Sequence, residues 1–98
     1  MREQIFEYLV EKEKQTPKLA SQMCDKFEKH PDIMEELVQY ILTGKFVEKD
    51  PVTVEGYTAQ MLKDTTYLKP VGAFNYLIYL RNKPEIALDK LKKGLPLK

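Results

Sequence analysis

The sequence predicts a mainly α fold: a single compact bundle of about six short helices over residues 1–98. Three observations carry that expectation. Apolar residues recur every three or four positions through most of the chain. Proline stands at 17, 70 and 84, each at the head of such a stretch, where its missing N–H costs a helix nothing. Glycine stands at 44 and 94, each just behind one, where left-handed backbone stops a helix.

Ile5, Phe6, Leu9 and Val10 form the apolar stripe of a first helix over residues 2–14, with Glu3, Glu7, Glu11 and Lys14 on its wet side. Thr16 before Pro17 reads as an N-cap, and opens a second helix over 17–29. His30 is pushed out of helical backbone by Pro31, and Asp32 with Glu35 reads as an acidic capping box for a third helix over 32–43. Its stripe is Ile33 or Met34, Leu37, Val38, Ile41 and Leu42, and Gly44 ends it.

Two structures compete between residues 45 and 57. Phe46-Val47 and Val52 to Val54 can pair as a minimal β-hairpin near 46–54. Alternatively, Thr53 caps a helix whose inner face is Val54, Tyr57, Met61 and Leu62. Gly56 and two valines are poor helix formers, which favours irregular backbone over 46–56 and a helix over 58–65. A fifth helix covers 70–82. A sixth covers 84–93, with Ile86, Ala87, Leu88 and Leu91 inward, Lys92 and Lys93 in its last turn and Gly94 and Pro96 beyond.

With 43% hydrophobic and 32% charged residues, ninety-eight residues fit one domain with one core. The formal net charge of +1 argues against a general polyanion binder, but the halves differ in sign. Residues 1–50 carry eight Lys or Arg against eleven Asp or Glu, and residues 51–98 carry eight against four. Any anion-facing surface is therefore expected in the second half. A single cysteine, Cys24, rules out an internal disulfide, and its helical spacing with Ala20, Met23 and Phe27 reads as core. Charge alternates with hydrophobe from Arg2 to Lys14, unlike a signal peptide, and the longest apolar run, Tyr76 to Leu80, is too short to span a bilayer. A cytoplasmic protein with no membrane partner is expected.

The stretch Pro70 to Leu80 is apolar almost all the way round. At about 100° per residue, Leu80, Ala73, Leu77, Phe74 and Ile78 fill one aliphatic arc, leaving Asn75, Tyr79, Gly72 and Tyr76 on the other. Four of the six tyrosines lie within residues 57–79. Tyrosine carries a large apolar body with a polar tip and concentrates at interfaces, and glycine allows close backbone approach. Tyr57, Tyr67, Gly72, Asn75, Tyr76 and Tyr79 are accordingly the expected partner-binding residues of a non-enzymatic interaction or regulatory module. A protein partner or self-association is the favoured occupant.

A second reading rests on Thr58-Ala59, Leu62, Leu68, Ala73, Tyr76-Leu77 and Leu80. A helix opening with Thr-Ala, an inward leucine, a short turn and a second helix with small and leucine inner residues resembles the helix-turn-helix of bacterial transcription regulators, over about a quarter of the chain. The resemblance implies that the second helix enters the major groove, with Asn75 on an adenine edge and Lys63, Lys69, Arg81 and Lys83 on phosphates. No basic residue stands between Pro70 and Leu80, which places this DNA-binding reading second.

No catalytic set is legible. The chain has one histidine and neither a glycine-rich phosphate loop nor a nucleophile elbow. Asp25, Glu28, His30, Asp32, Glu35 and Glu36 lack the spacing of calcium or zinc ligands, so neither metal nor cofactor is expected.

Overall fold

Proline starts and helical stripes translate directly into backbone. The computed structural model describes residues 1–66 and 68–93, and contains six helices among them. They are α1 (Arg2–Glu11), α2 (Pro17–Glu28), α3 (Pro31–Thr43), α4 (Ala59–Thr66), α5 (Pro70–Asn82) and α6 (Pro84–Lys92). The fold is mainly α, as expected. By their contacts the helices fall into two compact units that divide between Asp50 and Pro51.

In the first unit α1, α2 and α3 each pack on the other two. Ile5 and Leu9 of α1, Ala20, Cys24 and Phe27 of α2, and Ile33 and Leu37 of α3 are wholly buried. Burial of each large side chain contributes about 1.5–3 kcal/mol. Thr16 caps α2 as expected: its Oγ1 accepts from the Leu19 N–H at 3.2 Å. The start of α1 is clamped to α2 by Arg2, whose guanidinium reaches Asp25 at 2.8 Å, Glu28, and the Ser21 hydroxyl at 3.0 Å.

Two boundaries differ from expectation. The first helix ends at Glu11 rather than at residue 14, because the chain winds out through Lys12 and turns at Lys14, whose φ is +58°. The Gln15 N–H closes that turn on the Leu9 carbonyl at 2.9 Å. The capping box also fails. The N-cap of α3 is His30, so Asp32 lies inside the first turn, where a negative charge favours the helix dipole. Gly44 ends α3 as expected, in left-handed backbone with φ +75°.

The irregular backbone favoured over 46–56 is what forms, and the competing hairpin near 46–54 does not. Residues 46–53 form no strand, and one antiparallel bridge joins Val54 to Tyr57. These two residues exchange both backbone hydrogen bonds, at 3.0 and 2.9 Å. Glu55 and Gly56 between them have φ of +52° and +82°, the paired positive values of a type I′ turn. Phe46 instead stacks its ring on Tyr40, with centroids 4.6 Å apart.

In the second unit Thr58 caps α4, its Oγ1 accepting from the Met61 N–H at 3.2 Å. α5 packs on both α4 and α6. Seven of its residues are buried: Val71, Ala73, Phe74, Tyr76, Leu77, Ile78 and Leu80. Gly94 and Pro96, expected to end the last helix, lie outside the described residues, and α6 runs to Lys92 with Lys93 as its C-cap.

Removing the Thr16 cap should cost about 1 kcal/mol of stability in urea unfolding of Thr16→Ala. Leu42→Ala should change stability by less than about 0.5 kcal/mol, because Leu42 is 65% exposed.

Candidate functional site

The expected partner-binding residues divide by where α6 returns along α5. Tyr76 is 5% exposed, and its hydroxyl donates to the Ala87 carbonyl of α6 at 2.6 Å. Placing Tyr76 on a partner-binding surface is therefore corrected: it is an internal side chain that ties α5 to α6. The hydrogen bond makes that burial affordable, since a phenol taken out of water without a partner is costly. Burial pushes the Tyr76 hydroxyl above its ordinary pKa, and the nearby phenols of Tyr79 and Tyr57 add to the shift.

Tyr79, one turn further on, remains half-buried. The rings of Tyr76 and Tyr79 meet edge to face, with centroids 5.3 Å apart and planes at 89°. The ammonium of Lys90 lies over the Tyr79 ring, 5.3 Å from its centroid. Tyr79 is thus held by an aromatic neighbour on its own helix and by a cation on the next. Asn75 and Gly72 continue its stripe toward the N-terminus of α5, and both are half-buried, as is Tyr57. Tyr67 lies outside the described residues.

Gly72 does not need to be glycine for backbone reasons. A Cβ built there meets Leu68 side-chain atoms at 3.6 Å, an ordinary contact, and the helix continues through it. Among the described residues, Leu68 side-chain atoms are what stands within 4 Å of that Cβ.

The cations of the DNA-binding reading stand at both ends of α5 and on α4. Lys69 and Lys83 are its N-cap and C-cap residues and are exposed, as is Arg81, whereas Lys63 is half-buried on α4. Asn75 shares the stripe of Gly72 and Tyr79.

Sequence reasoning missed Lys90 and placed Ile86 inward, which the structure corrects. Lys90 belongs to the site only because α6 folds back on α5. Ile86, one turn before it, is 51% exposed. The signal for both was present in the stripe Lys83, Ile86, Lys90, at i, i+3 and i+7, on the edge of the last helix.

Cys24 is wholly buried, and its thiol approaches the Arg2 carbonyl at 3.8 Å. Burial raises its pKa, and the opposing pull of Arg2 is smaller, so the thiolate is disfavoured. No group of three or more His, Cys, Asp or Glu among the described residues is placed to hold a metal ion. No helix among them is long and apolar enough to cross a membrane. No family model matches the chain, and no curated protein or solved structure matches it either.

Tyr76→Phe should cost about 1 kcal/mol at neutral pH. Because the folded pKa of Tyr76 is raised, folding favours its neutral form. That contribution is complete below the ordinary phenol value near 10 and is lost as pH rises through the folded value. The stability gap between the native chain and Tyr76→Phe should therefore narrow above about pH 10 in urea titrations. Gly72→Ala should raise stability by about 0.5–1 kcal/mol in the same assay, because the added methyl fits and the helix gains propensity.

Proposed function

We propose that this chain is a non-enzymatic protein-interaction module whose binding surface is centred on Tyr79. The observation that carries the reading is the half-buried Tyr79 ring, contacted by Tyr76 and Lys90, on a helix that is otherwise largely buried. An aromatic side chain already held in one place loses little freedom on binding, and such side chains dominate interface energetics. Asn75 and Gly72 extend the surface along α5, and Tyr57 lies close enough to act on the Tyr76 phenol. A protein partner or a second copy of the chain is the occupant this surface favours.

Duplex binding through α4 and α5 is the second reading, favoured by the exposed cations Lys69, Arg81 and Lys83 at the ends of α5. It ranks lower because α5 is covered on two sides, by α4 and α6, and its outward stripe is Gly72, Asn75 and Tyr79 with no cation.

Tyr79→Lys should keep the helix content and cost only about 1 kcal/mol, for the lost ring pair, while Tyr76→Ala should cost about 3 kcal/mol. Equal, core-sized losses at both positions would make Tyr79 interior and remove the interaction reading. A labelled mixed-sequence duplex, titrated by fluorescence anisotropy at several salt concentrations, should show no binding. A Kd of about 10⁻⁴ to 10⁻⁶ M near physiological salt, weakening steeply as salt rises, would put the duplex reading first.

A further inference from the structure

The rim of the Tyr79 surface is cationic on the side formed by α6. Lys83, Ile86 and Lys90 stand at i, i+3 and i+7 and share one edge of that helix, the edge that brings the Lys90 ammonium over Tyr79. Lys83 and Lys90 are exposed, and Ile86 between them leaves half of its surface in water. The acidic residues of α6 lie elsewhere. Glu85 and Asp89 lie on the other side of Ile86 from the two lysines, about 100° and 60° round the helix from Ile86, and Asp89 is paired with Lys93 at 2.9 Å. The patch that runs from Tyr79 through Lys90 and Ile86 to Lys83 is thus bordered by an acid only beyond Ile86, at Asp89, whose carboxylate is engaged by Lys93.

We propose that the partner of this surface is an acidic amphipathic peptide segment, whose apolar side chains cover Tyr79 and Ile86 while its carboxylates pair with Lys83 and Lys90. The proposal rests on the interaction reading and specifies the chemistry of its partner. Charge complementarity carries it: eight Lys or Arg stand against four Asp or Glu in residues 51–98, and two of those cations border the patch. The apolar content selects a peptide over a nucleic acid, since a phosphate backbone offers nothing to cover an isoleucine. One exposed isoleucine and one half-buried tyrosine are also too little apolar surface for a helix lying in a bilayer interface. A carboxylate that reaches Lys90 does so beside an aromatic face, where partial desolvation strengthens the ion pair relative to one in open water. The span from Lys83 to Lys90 is about 10 Å at helical rise, which two turns of a peptide helix match.

The test uses the full chain and three fluorescein-labelled helical peptides with the same leucine positions, whose remaining faces are glutamate-rich, glutamine-rich or lysine-rich. Anisotropy titrations should rank the glutamate-rich peptide at least about tenfold tighter than the glutamine-rich one, with the lysine-rich peptide weakest. Amide shift mapping should place its binding at Tyr79, Ile86 and Lys90. Lys83→Glu combined with Lys90→Glu should invert the ranking, and Tyr79→Ala should lose about tenfold while Tyr79→Phe retains binding. Circular dichroism of each variant separates lost binding from lost fold. Equal or tighter binding of the glutamine-rich or lysine-rich peptide at the same residues would overturn the acidic partner and leave the interaction surface standing. Binding of no peptide, or binding away from Tyr79, would also overturn the acidic partner, and the Tyr79→Lys comparison would then judge the surface by itself. Tighter binding to vesicles of phosphatidylcholine with phosphatidylserine than to any peptide would likewise overturn it in favour of a lipid surface.

Discussion

A helix that is apolar almost all the way round has to be covered on more than one side, and the second unit is arranged around that constraint. α5 packs on both α4 and α6, burying seven of its residues. The covering helices are short, eight and nine residues, so their stability comes from the apolar surface they share with α5 rather than from their own propensity. Lys83 serves both as the C-cap residue of α5 and as the N-cap residue of α6, which leaves one residue to turn the chain back. That tight reversal brings the Ala87 carbonyl to the Tyr76 hydroxyl and the Lys90 ammonium to the Tyr79 ring. Core and candidate surface are consequences of the same turn.

The first unit solves its packing differently. Its helices are amphipathic, and each needs to cover only one face of its neighbours. Polar contacts then set the register, as where Arg2 joins the first turn of α1 to three side chains of α2. These ion pairs are solvent-accessible, and Arg2 owes its raised pKa first to its hydrogen bond with Asp25. Their role is to orient the helices, while the buried aliphatic residues and Phe27 supply the driving force. The thiol of Cys24 lies beneath this clamp as a small buried side chain.

Much of the helical layout was legible because its signals are local. Proline at 17, 70 and 84 marked helix starts, Thr16 marked a side-chain cap, and Gly44 marked a stop. The misplaced features depended on backbone choices that several residue types can make. Lys14 adopts left-handed backbone although lysine does not announce it, so α1 stops short. Glu55 does the same beside Gly56, and together they move the pairing to Val54 and Tyr57. His30 takes the cap position that the spacing of Asp32 and Glu35 implied for Asp32, since the helix already includes Pro31.

The sequence by itself determined that the chain is helical, where most helices begin, and that residues 70–82 form its most apolar helix. It also placed the excess of cations over acids in the second half, because charge totals are additive and need no geometry. What tertiary structure decided was which tyrosine faces inward. Tyr76 and Tyr79 share one arc of α5, and only the return of α6 separates them, burying one against the Ala87 carbonyl and leaving the other half-open beneath Lys90. Periodicity assigns a residue to a face of its own helix. Burial depends on what other elements bring to that face, and that is settled by packing between residues distant in the chain.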